Sequence, residues 1–172
     1  LRKGGIPHQT RRLVTSQAQL GYQVGTVSLN GDLKEVFIKE NPSVKVEYSK
    51  DSFAAIDDFR QCLNNFKPDL VHITGLWIPL HQLWTWEIIR VGIPYVVSTH
   101  GNLNPLNMNV RFGEKKTKLY HILAKRLWHR YLDLPLLRNA IGIHAHSRYE
   151  SELLHSAGLK NVFVVSAGVD DD

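Results

Sequence analysis

The residues best suited to chemistry stand where apolar runs give way to polar or glycine-rich segments. Ser98, Thr99, His100, Gly101 and Asn102 follow one such run. An imidazole at the end of a strand can hydrogen-bond a ligand hydroxyl or exchange a proton near neutral pH, and a glycine beside it lets a ligand approach the backbone closely. His100 is therefore a candidate catalytic residue, with Gly101 and Asn102 as candidate binding residues; the competing reading is a histidine that only caps a strand. Gly4 and Gly5 form a second candidate. They stand ahead of a segment with helical spacing, whose free N–H groups and dipole would favour an anion or a hydroxyl-rich ligand. A tight turn that needs positive φ would use the same pair, and the spacing is not the G-x-G-x-x-G of a dinucleotide site.

Three further groups carry weaker signals. His72 lies in an apolar run and reads as a hydrogen-bonded structural histidine; Gly75, Leu76 and Trp77 follow it, with an aromatic ring that could stack on a ligand or close a core. Trp84 and Trp86 read as core or interface. His144 and His146 alternate and so share one face of a strand, but no third ligand has a plausible spacing, so no metal site is expected. Asp170, Asp171 and Asp172 read as a short solvated acidic tail or the start of a linker.

The elements that must position these residues follow from periodicity. Leu13, Val14, Gln17 and Leu20 recur at helical spacing within 9–20, and Gly21 supplies a stop. Residues 22–29 read as a strand ending at the Asn30-Gly31 turn, with shorter strands at 36–38 and 44–48. Helices are predicted at 52–66, 80–91, 114–131, 134–138 and 147–157, and strands at 69–74, 93–99, 140–145 and 162–165. Helices between nearly continuous apolar strands make βαβ units with right-handed crossovers. The expected fold is α/β: a Rossmann-like parallel sheet with helices on both faces and ligands at the carboxyl ends of its strands.

In the helix predicted at 114–131, Leu119, Leu123, Leu127 and Tyr131 form one stripe, and Lys118, His121, Lys125 and His129 lie opposite. Such a helix can rest on an anionic bilayer or present a plain solvated face. Arg126 and Arg130 fall close to the stripe, where one could reach a phosphate or a carboxylate.

The 172 residues suit one domain, and 43% apolar with 22% charged residues is a globular balance that argues against disorder. A formal charge of +5 favours acidic partners. The basic residues are spread over several helices without a nucleic-acid motif, so no nucleic-acid partner is expected. Cys62, the single cysteine, permits no internal disulfide and suits a buried thiol in a reducing, cytoplasmic compartment. No apolar run approaches the length needed to cross a bilayer.

In their order, Gly4-Gly5 before a helix ending in Leu20-Gly21-Tyr22-Gln23-Val24, then Asp69-Leu70-Val71-His72, then Ser98-Thr99-His100-Gly101, resemble the N-terminal half of GT-B glycosyltransferases of the family 4 (group 1) type. Ser147-Arg148-Tyr149-Glu150 at a helix start, then Gly158 and Val164-Val165-Ser166-Ala167-Gly168-Val169-Asp170, look like the close of that domain, with Ala167 where the family usually has Asn. The resemblance spans essentially the whole chain. It implies a single acceptor-side domain over 1–172, preceded by a first strand and followed by a donor-binding domain, neither of them in this chain. It further implies retaining transfer of a sugar from a nucleotide diphosphate sugar to a hydroxyl acceptor, in polysaccharide or other glycoconjugate synthesis. No cofactor or obligatory metal is implied, and peripheral contact with an anionic membrane is compatible with it. By the same resemblance the glycine loop approaches acceptor and donor phosphates, and His100 contacts the transferred sugar. A GT-B-like epimerase or phosphorylase would share the architecture. The fragment alone is expected to be inactive.

Overall fold

A computed structural model describes residues 5–28, 45–48, 55–105 and 119–166. The chain divides into two compact units, Leu1–Pro68 and Asp69–Asp172.

The first unit holds helix α1 (Gly5–Gln19), strand β1 (Gly25–Ser28), strand β2 (Lys45–Tyr48) and helix α2 (Ala55–Phe66). The two strands pair in parallel, with Gly25 opposite Lys45 and Ser28 opposite Tyr48. Helix α1 begins earlier than its apolar spacing suggests, at Gly5. The fixed φ of Pro7 suits a first turn, where its missing N–H has no intrahelical partner to lose. Gly5 is thus the first helical residue, whereas Gly4, the strand expected at 36–38 and the Asn30-Gly31 turn lie outside the described residues. Asp57 and Asp58 occupy the first turn of α2, where the helix dipole favours anions, and Phe59 and Leu63 are buried along one stripe, as their spacing predicts. Cys62 is half-buried.

In the second unit, strand β3 (Val71–Thr74), helix α3 (Pro79–Val91) and strand β4 (Tyr95–Ser98) are followed by helix α4 (Leu119–Trp128). A π turn (His129–Asp133) then leads into helix α5 (Leu134–Asn139), strand β5 (Gly142–Ala145), helix α6 (Arg148–Ser156) and strand β6 (Val162–Val164). The four strands form one parallel sheet in the order β3-β4-β5-β6, a Rossmann-like α/β arrangement. The register sets Thr74 beside Ser98 and Ser98 beside His144. Because side chains alternate, the two faces differ in kind. Ile73, Tyr95, Val97, Ile143 and Ala145 share one face and are all buried, while His72, Ser98 and His144 share the other. Tyr95 donates its hydroxyl to the Leu136 carbonyl at 2.6 Å, and burial pushes its phenol up to about 12.

Helices α4 and α5 are not separated by a break. The chain stays helical through the π turn, with the Leu134 N–H reaching the His129 carbonyl. Pro135 explains the widening: its ring has no N–H to give and crowds the carbonyl four residues back. The apolar stripe of this segment faces solvent, Leu119, Leu123, Leu127 and Tyr131 being 80%, 57%, 50% and 69% exposed. His121, Lys125 and His129 occupy the less exposed side. Trp84 is buried, and Trp86 is exposed.

Candidate functional site

The site is built on the turn that leaves β4. The Asn102 N–H donates to the Thr99 carbonyl at 2.9 Å, closing a four-residue turn around His100 and Gly101. Both central residues are left-handed, with φ of 47° and 69°, the signature of a type I′ turn. Glycine adopts this freely; for a histidine it costs about 1 kcal/mol. That cost is offset from α6. Oε1 of Glu150 accepts the Thr99 hydroxyl and the Gly101 N–H, both at 2.5 Å, and Oε2 accepts the His146 N–H at 2.8 Å. Glu150 is buried. Burial alone would raise its carboxyl, but the bonds from Thr99, Gly101 and His146 outweigh it and hold the group below the usual carboxylate value.

Beside this turn runs a line of histidines. Ser98 Oγ lies 2.7 Å from His72 Nε2 and 2.8 Å from His144 Nδ1, and His144 Nε2 lies 2.7 Å from the Val165 carbonyl. A carbonyl only accepts, so His144 carries its hydrogen on Nε2, and in the neutral ring Nδ1 is an acceptor. It follows that Ser98 donates to His144 and accepts from His72, which carries its hydrogen on Nε2. The Phe163 ring stacks on His144 at 5.4 Å between centroids. His146 continues the line, its centroid 4.3 Å from those of both His144 and His100. Neither His146 ring nitrogen has a hydrogen-bond partner among the described residues.

His72, His100 and His146 are held neutral. Desolvation, followed by the charge of His146, lowers His100 to about 4. Desolvation first and His144 second lower His146, and the same two causes lower His72, which keeps solvent access on one side. Neutral imidazoles donate and accept hydrogen bonds but carry no charge. The arrangement therefore suits an uncharged, hydroxyl-rich ligand better than it suits an anion. Among the described residues no three His, Cys, Asp or Glu side chains could together hold a metal ion.

A second loop closes the neighbouring strand end. The Gly75 N–H donates to the Ser98 carbonyl at 2.9 Å, and Asn102 Oδ1 accepts the Leu76 N–H at 3.3 Å. Asn102 thus ties the β3 loop to the β4 turn. Trp77 is left-handed at φ 63°, with the Lys125 ammonium 4.5 Å above its ring, and its indole nitrogen is buried without a partner among the described residues.

Of the residues expected at a site, His100, Gly101 and Asn102 thus share one turn, and His72, His144 and His146 are aligned beside it. Gly5 opens α1 in the other unit, and Gly4 and Asp170 to Asp172 lie outside the described residues. Sequence reasoning gave Glu150 no site role. The signal was there: Ser147 caps α6 by accepting the Glu150 N–H at 3.2 Å, and Ser-x-x-Glu is a capping-box spacing. Here the carboxylate reaches past the cap to the β4 turn.

No curated protein matches the chain significantly. The family model described as Glycosyltransferase Family 4 matches residues 3–172. With nearly every residue covered by that match, this chain belongs to Glycosyltransferase Family 4.

Proposed function

We propose that the protein is part of a retaining glycosyltransferase that moves a sugar from a nucleotide diphosphate sugar to a hydroxyl acceptor, in the synthesis of a polysaccharide or other glycoconjugate. The observation that carries this reading is His100, set at the end of β4 by a left-handed turn in a chain of a glycosyltransferase family. A neutral imidazole can bond a sugar hydroxyl in either sense without the cost of desolvating a charge. With a value near 4, His100 is a weak base at neutral pH. Its role is to orient the transferred sugar beside the reacting carbon, not to strip a proton from the acceptor. Gly101 leaves room for the sugar against the backbone, and Asn102 holds the turn in place. The charge of the departing diphosphate is met by protein cations and helix N-termini, without an obligatory metal.

The test is to incubate the full-length gene product with a panel of sugar nucleotides and a membrane extract as acceptor. Release of nucleotide diphosphate from one donor, with the anomeric configuration of the product retained by proton NMR, is the expected result. Inversion would overturn the retaining assignment, and no release from any donor would overturn the transferase.

A cytoplasmic protein with peripheral contact at an anionic bilayer completes the reading. Its support is the solvent-facing stripe of Leu119, Leu123, Leu127 and Tyr131, flanked by the exposed Arg126 and Arg130. No described helix is long and apolar enough to cross a membrane. Co-sedimentation with vesicles containing phosphatidylserine, abolished by Leu123→Glu together with Leu127→Glu, is expected; sedimentation unaffected by that pair would remove the stripe from the account.

A further inference from the structure

We infer that Glu150 is a positioning residue for His100, acting through the backbone of the 99–102 turn; the inference rests on the sugar-transfer reading above. Oε1 binds the residues on either side of the histidine, the Thr99 hydroxyl and the Gly101 N–H, both at 2.5 Å. Oε2 binds the His146 N–H at 2.8 Å, and the His146 ring lies against that of His100. One carboxylate therefore fixes both the left-handed turn that displays His100 and the ring that packs on it. It touches His100 only through these neighbours.

The geometry calls for a carboxylate and not just a polar side chain. All three groups facing Glu150 are donors, and an ionised carboxyl is the side chain that accepts on both oxygens. Glutamine at this position could still accept from Thr99 and Gly101 on its oxygen, but its NH₂ would face the His146 N–H, donor against donor. Alanine would release all three groups, leaving the strained φ of His100 without its offset. Misplacing a substrate-contacting group by about 1 Å costs on the order of 100-fold in rate. Because Glu150 touches no reacting atom, that loss falls on turnover and vanishes once His100 is gone.

The experiment is a double-mutant cycle on the full-length gene product, with steady-state kinetics on the donor that it accepts. Glu150→Ala is expected to lower kcat about 100-fold while the donor KM stays within about 3-fold. Glu150→Gln should recover about 10-fold of that loss, since it keeps the two bonds beside His100. The His100→Ala, Glu150→Ala double variant should lie within about 3-fold of His100→Ala alone, because residues that act through one another are strongly non-additive. If Glu150→Ala does not fold, the cycle is run with Glu150→Gln, and the same non-additivity is expected. Losses that multiply in the double variant, or wild-type kcat in a Glu150 variant while His100→Ala is impaired, would overturn the inference. Wild-type turnover by His100→Ala would instead overturn the site reading on which it rests.

Discussion

Among the buried carboxylates of the second unit, Glu150 and Asp133 are satisfied differently. Glu150 spends both oxygens on donors at the strand ends, two of them backbone N–H groups. Asp133, fully buried at the π turn, spends one: Oδ1 accepts from Gln82 Nε2 at 2.9 Å and from Trp128 Nε1 at 3.1 Å. Its Oδ2 has no hydrogen-bond partner among the described residues, and His129 Nδ1, at 3.6 Å, is too far to be one. The donors of Asp133 are side chains of α3 and α4, so it fastens helices to each other. Two of those of Glu150 belong to the turn that carries His100, and the third is the His146 N–H just past β5. Each carboxylate is tolerated because donors converge on it. On the proposed function, which element the donors belong to decides whether its loss is felt in stability or in activity.

The comparison breaks most readily at Asp133. Asp133→Ala leaves the Gln82 and Trp128 donors unpaired in a buried place, and is expected to cost about 3 kcal/mol, read as a fall in the urea midpoint at an unchanged m-value. Turnover per folded molecule should stay at the wild-type level; its loss would put Asp133 in the site as well. Glu150→Gln should show the opposite balance, about 10-fold in kcat against about 1 kcal/mol of stability. Ser98→Ala, which cuts the link between His72 and His144 but leaves the Glu150 cradle untouched, should cost about 1 kcal/mol. It should leave the donor KM unchanged.

Acid sharpens the contrast without a mutation. The folded values of His72, His100 and His146 lie below the ordinary 6.5, so the unfolded chain takes up protons first as pH falls. Their stabilisation is complete above pH 6.5 and is lost as pH falls towards about 4. Glu150 is also lowered, so its contribution is complete above the ordinary 4.5 and is lost only as pH falls through its own folded value. Urea midpoints measured between pH 7.5 and 4.5 should therefore begin to fall near 6.5, before the carboxylates titrate. A midpoint that stays level down to 4.5 would contradict the lowered histidines.

Much of this was legible in the sequence where the signal is local. His100 was found because it ends an apolar run, and the pairing of His144 with His146 because alternate residues share a strand face. Residues 119–131 show the limit of such signals. Periodicity defines a stripe, but it does not say which side of the helix turns to water, and here the apolar side does. The helices predicted at 114–131 and 134–138 left a gap between them, yet whether the chain breaks or widens there depends on contacts such as the bonds from Gln82 and Trp128 to Asp133. Glu150 was missed for the same reason. Two of its three partners lie 49 and 51 positions away, and only the crossover from β4 to β5 brings them together.

The most direct test of the central claim is nucleotide diphosphate release by the full-length gene product and its His100→Ala form across a panel of sugar nucleotides. The account predicts release from a preferred donor and a fall in kcat of about 100-fold in the variant, with the urea midpoint within about 1 kcal/mol of wild type. Equal release by both proteins would contradict it, because the turn that Glu150 holds would then carry a histidine the reaction does not use.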